Sequence, residues 1–331
     1  MPLLLTESDV RKILTMPLAL EAVENSFRAI AAGSIEVDPR RRLNIPGKSY
    51  LHYMAAGDST AGYMGLKIYT SSRSGLRFLV PLFDAGSGDL LALVEADYLG
   101  QVRTGAASGV ATKFLSRPEA RTVGILGTGG QARTQLEAIA LVRKLETVRA
   151  YGRDADMRKQ FSSEMSSRLS VRVVPVDSGE SAVRGADIVV TATTSTEPVV
   201  DGSWLERGVH VNAIGANFPQ KRELDDRAVS RADLIVVDLR EQARMEAGDL
   251  IHGFAGDDSR WQRVYELAQI VAGKTAGRTS AEQITLFKSS GIASEDIAVA
   301  GRLYEMALER HMGTQVSMWG SESRSARRGE A

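Results

Sequence analysis

The feature that most constrains the fold is a short apolar segment near the middle of the chain that ends in a glycine-rich turn. Residues 123–126 are apolar, residues 127–132 follow the pattern G-x-G-x-x-A, and an amphipathic segment comes next. In a dinucleotide-binding fold the first glycine permits a tight turn, the second lets the backbone approach a pyrophosphate, and the small last residue lets the helix pack on the strand. A glycine-rich turn can also have a purely structural role and bind no ligand. Because a strand precedes it and a helix follows it, the segment predicts a dinucleotide bound at the helix N-terminus. The predicted contact residues are Gly127, Thr128, Gly129, Gly130, Gln131 and Ala132.

Charge balance and missing residue types narrow the functional classes. The 331 residues suffice for about two domains, and 41 basic residues are matched by 41 acidic ones, so neither nucleic acid nor an anionic membrane is expected as a partner. No apolar run reaches about 18 residues and no signal peptide is apparent, which predicts a cytoplasmic protein without a membrane span. The chain has no cysteine and its four histidines are far apart, so no metal site is expected.

Secondary-structure patterns divide the chain into two parts. Before residue 97, strand-like runs are separated only by turns, which predicts an antiparallel or mixed sheet, and a helix over 97–116 follows. From residue 121, strands and helices alternate, which predicts a doubly wound parallel sheet. The predicted strands are 41–45, 50–55, 63–70, 78–83 and 90–95, then 122–127, 147–152, 171–175, 187–192, 209–214 and 233–237, with 282–287 as a possible further strand.

The predicted fold class is therefore α/β, with a Rossmann-type doubly wound sheet and a smaller α+β unit. Residues 117–305 are assigned to the dinucleotide-binding domain, and residues 1–116 with 306–331 to the other unit, to which a helix over 292–312 returns the chain. The small, polar tail, 320–331, is expected to be disordered. A ligand is expected in the crevice at the carboxyl ends of the parallel strands, facing the smaller unit.

The end of the second parallel strand bears on the choice of cofactor. An NAD site usually has an acidic residue there to bind the ribose hydroxyls, but this chain has Gly152, followed by Arg153 and Asp154. A guanidinium suits a 2′-phosphate by charge and by its forked donors. NADP(H) is therefore favoured. NAD(H) remains possible if Arg153 is only a solvated surface residue and Asp154 binds the ribose.

Eight segments match a known family in the right order. They are 54–56 (MAA), 65–67 (GLK), 82–88 (LFDAGSG), 103–108 (RTGAAS), 127–132 (GTGGQA), 212–217 (NAIGAN), 222–225 (RELD) and 285–291 (TLFKSSG). On these segments the chain resembles the ornithine cyclodeaminase/μ-crystallin family over nearly its whole length. The resemblance implies a homodimer, a substrate and dimerisation domain built from the N-terminal sheet and the C-terminal helix, and a Rossmann domain for NAD(H) or NADP(H).

The same resemblance implies a set of site residues. Arg41 matches the arginine that binds the substrate carboxylate, with the register uncertain by one residue because Arg40 and Arg42 flank it. Lys67 matches the catalytic lysine, and Arg103 matches a second arginine. Independently of the resemblance, Lys67 lies in an apolar run, where burial of a charge is costly without a task or a partner. Two nearby arginines would lower the pKa of the lysine, which suits proton exchange near neutral pH. Each residue alone could also be an ordinary surface cation. The predicted cofactor-binding residues further include Thr104, Thr193, Ile214 and Ser289.

One departure from the family pattern affects the predicted reaction. Ornithine cyclodeaminases have an aspartate as base in the loop where this chain has Asn217, and an amide does not accept a proton at neutral pH. Loss of a positioned base costs on the order of 10²–10⁴-fold in rate. The preferred hypothesis is an NAD(P)H-dependent reductase of a small imino acid of the cyclic ketimine carboxylate type. The alternatives are an ornithine or lysine cyclodeaminase with recycled NAD, an alanine-type amino-acid dehydrogenase, and a non-catalytic NADPH-dependent binding protein.

Overall fold

The computed structural model describes residues 1–318, which form two β-sheets and the helices that cover them. The predicted disordered tail, 320–331, lies outside these residues. The strands are β1 (Leu3–Leu5), β2 (Ile35–Ile45), β3 (Ser49–Asp58), β4 (Tyr63–Ser72), β5 (Gly75–Asp84), β6 (Leu90–Glu95), β7 (Thr122–Leu126), β8 (Thr147–Tyr151), β9 (Arg172–Pro175), β10 (Ile188–Thr191), β11 (His210–Ala213), β12 (Leu234–Val237), β13 (Val264–Glu266), β14 (Thr285–Lys288) and β15 (Thr314–Gln315). The α-helices are α1 (Glu7–Ile13), α2 (Met16–Ala32), α3 (Asp97–Leu115), α4 (Gly130–Val142), α5 (Ala155–Leu169), α6 (Gly179–Val183), α7 (Asp226–Arg231), α8 (Arg240–Glu246), α9 (Gly248–Gly253), α10 (Leu267–Val271) and α11 (Ala293–Glu309).

The first sheet has the mixed character that the runs of consecutive strands predicted. Its order is β15-β1-β6-β5-β4-β3-β2, and every neighbouring pair is antiparallel except β1 and β6. Its inner face, with Met54, Val80 and Leu82 fully buried, packs on α11, whose Ile297 and Ala300 belong to the same core. All five strands predicted before residue 97 are present.

The opposite surface of this sheet, here called the outer face, is apolar and partly solvent-exposed. Cross-strand partners share a face of a sheet, so the register identifies its members. Its apolar pairs are Leu43 opposite Leu51, Tyr53 opposite Ile68, Ala55 opposite Leu66, and Ile68 opposite Leu79. Arg41, opposite Tyr53, and Thr70, opposite Arg77, are polar residues on the same face. Leu43 is 55% exposed and Tyr53 is 40% exposed. Among the described residues no helix covers these side chains, which leaves an apolar sheet surface unpartnered.

The second sheet is parallel throughout, as predicted. Its order is β13-β12-β14-β11-β10-β7-β8-β9, so the chain winds outward in both directions from β7, except that β14 returns to lie between β11 and β12. Six of its strands match the predicted ones, and the possible strand near 282–287 is β14, in the middle of the sheet. The short edge strand β13 was not predicted. The carboxyl ends of β7, β10 and β11 lie at one edge, which creates the ligand crevice typical of such sheets.

Two helices connect the sheets. Helix α3 is buried along most of its length, and Gly105 touches the backbone of Thr134 on α4 so closely that a side chain would not fit. Helix α11 packs on the first sheet from its first turn, so the domain boundary predicted at residue 305 falls inside a helix. The division into two domains stays a prediction, and the contacts of α11 favour placing the whole helix with the smaller unit.

Candidate active site

The glycine-rich turn has the conformation that a dinucleotide site requires. Gly127 has φ of 110°, and a Cβ at this position would collide with the carbonyl oxygen of Ala192, so only glycine fits. Gly129 is the N-cap of α4, and no atom lies within 4 Å of the place where its Cβ would be. Ala132 is fully buried in the core that contains Ile125. The turn therefore offers open space beside uncapped N–H groups, which fits a pyrophosphate.

The structure at the end of β8 distinguishes between Arg153 and Asp154, the two predicted ligands of the ribose or its phosphate. A Cβ on Gly152 would lie 2.9 Å from the hydroxyl oxygen of Thr128, so an acidic side chain there would be crowded. Oδ1 of Asp154 accepts the N–H groups of Asp156 and Met157 and caps α5. Arg153 is exposed and has no hydrogen bond or ion pair with any described residue. Of the two candidates, only Arg153 has a side chain without an existing task.

A buried carboxylate that the sequence reasoning missed holds the loops that follow β10 and β11. Glu223 accepts hydrogen bonds from the hydroxyl of Thr193 at 2.8 Å, the amide of Thr193 at 2.7 Å and the amide of Gly215 at 2.7 Å. Burial raises the pKa of Glu223, and the charge of Lys288 and the hydrogen bonds from Thr193 oppose the shift. The family resemblance included segment 222–225, but a sequence match does not show which groups Glu223 contacts. Thr193 and the neighbouring, half-buried Ile214 lie at the same sheet edge as the glycine-rich turn.

The hydroxyls of the other two predicted cofactor contacts already have partners inside the protein. Thr104 donates to the carbonyl of Gly100 at 2.7 Å, one turn earlier in α3. Ser289 donates to Asp238 at 3.1 Å. Each of these residues is less than a tenth exposed. Their contact with a cofactor stays a prediction.

The structure brings two of the predicted cations together. Lys67 on β4 is 2% exposed and donates to Oδ1 of Asp296 at 2.8 Å, and Nε of Arg103 on α3 donates to the same oxygen at 3.1 Å. Burial lowers the pKa of Lys67 to about 8, and Arg103 contributes to the lowering. The predicted direction is confirmed, although desolvation is a larger cause than the like charge.

Arg40, not Arg41, is the arginine of β2 that joins them. A β-bulge between Asp38 and Arg41 shifts the alternation, so the consecutive residues Pro39 and Arg40 are both buried. The Arg40 side chain is 3% exposed, pairs with Glu246, and donates to the carbonyls of residues 290 and 291 at 2.9 and 3.1 Å. The Arg41 side chain is 54% exposed, 3.9 Å from Asp38. The choice of Arg41 was therefore one residue out of register.

Arg42 connects the loop that contains Asn217 to Glu246, the residue that also pairs with Arg40. It pairs with Glu246, donates to the carbonyl of Asn217 at 2.8 Å, and lies 4.4 Å above the ring of Phe218. Asn217 is thus at the site, but through its backbone. Its side-chain amide has no hydrogen bond with any described residue.

Aromatic side chains of the first sheet stack next to these charges. The rings of His52 and Tyr69 are parallel with centroids 4.2 Å apart, and Phe78 stacks on Tyr69 at 5.0 Å. Burial, with Arg42 and Arg40, lowers the pKa of His52 to about 4, so its ring is neutral at pH 7. Nζ of Lys67 is 5.4 Å from the centroid of Phe78. The site therefore combines cations that can bind a small carboxylate with a flat apolar wall.

Sequence reasoning missed the acidic partners of these cations: Asp238, Glu246, Glu295 and Asp296. A signal was present for three of them, since Asp238 directly follows an apolar strand and residues 295–296 interrupt a mostly apolar stretch, 292–300. Like Lys67, they are charged residues in apolar surroundings, where burial is costly without a partner. Among residues 1–318, no group of three or more histidine, cysteine or acidic side chains is arranged to hold a metal ion, and no helix is long and apolar enough to cross a membrane.

Comparison with known proteins finds a family, sequence relatives and solved structures that the chain resembles. The ornithine cyclodeaminase/mu-crystallin family model matches residues 1–311. A Δ1-pyrroline-2-carboxylate reductase of Bacillus cereus is 42% identical over 72% of this chain and 73% of its own. The structure of Thermococcus litoralis Δ1-pyrroline-2-carboxylate reductase with NADH and L-proline has a TM-score of 0.90 at 36% identity, covering 95% of this chain and 100% of the other. A dimeric archaeal alanine dehydrogenase with bound NAD has a TM-score of 0.90 at 35% identity, covering 96% and 99%.

Proposed function

The chain belongs to the ornithine cyclodeaminase/mu-crystallin family and is an NAD(P)-dependent oxidoreductase, and we propose that it reduces a small cyclic ketimine carboxylate to the cyclic amino acid. One observation carries the proposal: a buried lysine with a lowered pKa shares a carboxylate oxygen with buried Arg103 and is close enough to buried Arg40 for its charge to act on the lysine. Such a cluster suits a substrate that has both a carboxylate and a nitrogen to be protonated. The names of the reductase relatives support the same substrate class.

Each cation has a separate role in this reaction. Arg40 and Arg103 bind the substrate carboxylate, since guanidinium groups form strong charge-assisted bonds to it. The bound nicotinamide cofactor supplies the hydride for the imine carbon. Lys67 donates the proton to the imine nitrogen, because its pKa of about 8 places it near the pH at which it works. Asp296 holds the ammonium group in position through the 2.8 Å bond.

Asn217 favours reduction over cyclodeamination. An amide does not accept a proton at neutral pH, so it cannot replace an aspartate base, whereas imine reduction needs a proton donor, which Lys67 provides. The contact of Arg42 with the Asn217 carbonyl places this loop beside the cluster. The cyclodeaminase and the amino-acid dehydrogenase are kept as alternatives with distinct products.

The test follows nicotinamide absorbance with NADPH or NADH and either 1-pyrroline-2-carboxylate or 1-piperideine-2-carboxylate. We expect consumption with the wild type and a loss of at least about 100-fold in Lys67→Met. The matched control is Lys113→Met, which removes a half-exposed lysine bonded to Glu24 and should retain activity. Ammonia released from L-ornithine or L-lysine without net cofactor change would establish the cyclodeaminase instead. Oxidation of alanine would establish the dehydrogenase. Cofactor binding without any turnover would leave a binding protein.

The preferred cofactor in this proposal is NADP(H). Arg153 is exposed and unpaired, Asp154 is engaged as a helix cap, and Gly152 presents no carboxylate that would repel a 2′-phosphate. The pyrophosphate would lie at the N-terminus of α4, beside Gly129. NAD(H) would use the same turn without the contact to Arg153.

The proposal includes a homodimer formed through the outer face. An exposed apolar sheet surface normally marks an interaction site, and an isologous interface would cover it in both copies at once. The dimeric state of the archaeal alanine dehydrogenase supports this assignment. We also place the protein in the cytoplasm, where reduced nicotinamide nucleotides are available, and cell fractionation would test that location.

A further inference from the structure

Arg103 is surrounded by three buried carboxyl groups. Its Nη1 donates to Oε2 of Glu295 at 2.7 Å and its Nε to Oδ1 of Asp296 at 3.1 Å. Both acidic residues lie in the first turn of α11 and are fully buried. Asp238, which follows β12, is 2% exposed and contributes to the electrostatic environment of both Arg103 and Glu295.

The three carboxyl groups differ in how many donors they have. Oδ2 of Asp238 accepts three hydrogen bonds, from Ser289 Oγ and from the amides of residues 290 and 291. Oδ1 of Asp296 accepts two, from Lys67 and Arg103. Glu295 has only one donor, Arg103. In each of the three groups the second oxygen has no partner, so the groups differ only in how many donors the first oxygen has. A buried anion is stabilised by its hydrogen-bond donors, so Glu295, with the fewest, is the least stabilised as an anion.

The formal charges of the cluster cancel when every group is ionised. The basic groups are Arg40, Arg42, Lys67 and Arg103, and the acidic groups are Asp238, Glu246, Glu295 and Asp296. They come from β2, β4, α3, α8, α11 and the end of β12, and they include the charged groups that act on Glu295. A substrate carboxylate would then add an uncompensated negative charge in a region closed to water. A proton on one acidic group removes this excess.

We propose that Glu295 is the acid that stays neutral when a carboxylate substrate binds, so that the cluster keeps one positive charge for the substrate. The inference rests on the proposed binding of the carboxylate at Arg40 and Arg103. Glu295 is a positioning residue here, because it acts through Arg103 and does not touch the substrate. Burial raises the pKa of Glu295 to about 8, Arg103 opposes the shift, and Asp238 and Asp296 add to it. Carboxylate binding should therefore take up a proton above that pH and almost none at pH 7.

The test measures proton uptake when pyrrole-2-carboxylate binds to the enzyme–cofactor complex. Calorimetry at pH 7 and pH 9, in buffers of different ionisation enthalpy, gives the number of protons taken up for each ligand. For the wild type we expect uptake approaching one proton at pH 9 and affinity about tenfold weaker than at pH 7. Glu295→Gln, which is permanently neutral at this position, should bind the ligand at pH 7 and should take up many fewer protons than the wild type at pH 9. Glu305→Gln on the same helix is the control and should behave like the wild type.

Lys67 titrates in the same range and needs its own variant. If Glu295 is the proton acceptor, uptake at pH 9 persists in Lys67→Met. Loss of uptake in Lys67→Met, or unchanged uptake in Glu295→Gln, would overturn the proposal. Should Glu295→Gln fail to fold, the infrared spectrum of the wild type at pH 9 still tests it, because ligand binding should create the carbonyl band of a protonated carboxyl group. Absence of ligand binding at either pH would instead count against the proposed function, whereas binding without proton uptake would count only against the role of Glu295.

Discussion

The sharpest consequence of the site geometry concerns two neighbouring arginines. Arg40→Met and Arg41→Met remove the same guanidinium group from adjacent positions, and methionine keeps much of the length of the side chain. The Arg40 side chain is 3% exposed, inside the charged cluster, whereas that of Arg41 is 54% exposed and only 3.9 Å from another exposed charge. We expect a large effect at the first position and almost none at the second.

The magnitude has a binding part and a stability part. A charge-assisted contact to the substrate carboxylate is worth about 1.5–3 kcal/mol, so kcat/KM should fall roughly 10- to 150-fold in Arg40→Met. Removing one partner of a buried ion pair costs about 3–5 kcal/mol. In Arg40→Met, Glu246 keeps its pair with Arg42 and a 2.8 Å hydrogen bond from Gln242. The loss of stability should therefore be at the lower end of this range, about 3 kcal/mol. Arg41→Met should change either quantity by less than about 0.5 kcal/mol.

The assay is the initial rate of NADPH oxidation with 1-pyrroline-2-carboxylate at saturating cofactor, together with the thermal midpoint of each variant. Arg40→Lys is a useful third variant, because it keeps the charge but not the fork and should recover part of the affinity. A larger loss of kcat/KM in Arg41→Met than in Arg40→Met would refute this account of the bulge. So would full activity in a folded Arg40→Met.

Three further predictions address the cofactor, the pH profile and the assembly. Arg153→Ala should weaken NADPH binding roughly 10- to 150-fold and leave NADH binding nearly unchanged, as measured by nicotinamide fluorescence. Added salt should weaken NADPH binding more than NADH binding. The control is Arg172→Ala, which removes an exposed arginine at the amino end of β9 and should alter the affinity for neither cofactor. A wild type that prefers NADH would contradict this. For imine reduction, kcat should fall as the pH rises through about 8, because Lys67 then loses the proton it donates, and the residual rate of Lys67→Met should lack this limb. Tyr53→Glu, on the outer face, should give a monomer in light scattering after gel filtration, whereas Leu141→Glu, at a more exposed apolar position on α4, should not; dimers in both variants would place the interface elsewhere.

The parts of the molecule that sequence predicted well are those fixed by local constraints. The glycine-rich turn depends on the backbone of Gly127 and on the small size of Ala132, both of which act within a few residues. The parallel sheet follows from the alternation of short apolar runs with helical segments. Both signals are contained in windows that can be read without knowledge of distant contacts.

The charged cluster could be predicted only in part, because its members come from distant segments. Lys67 stands out by its apolar surroundings, but its partner Asp296 is 229 residues further along the chain. Arg40 could not be told from its neighbours because the bulge in β2 breaks the alternation on which face assignment depends. The cations were therefore predicted with one register error, and their counter-ions were not predicted.

The place of β14 in the second sheet determines when the site can form during synthesis. This strand lies between β11 and β12, both of which precede it in the chain, so their facing edges stay open until residues 285–288 have left the ribosome. The first turn of α11, with Glu295 and Asp296, follows directly. Lys67 and Arg103 are thus made long before the two acidic side chains that bond to them, Glu295 and Asp296. We therefore expect a nascent chain that stops before β14 to expose two unpaired strand edges and two cations without their bonded partners, which favours chaperone binding over partial activity.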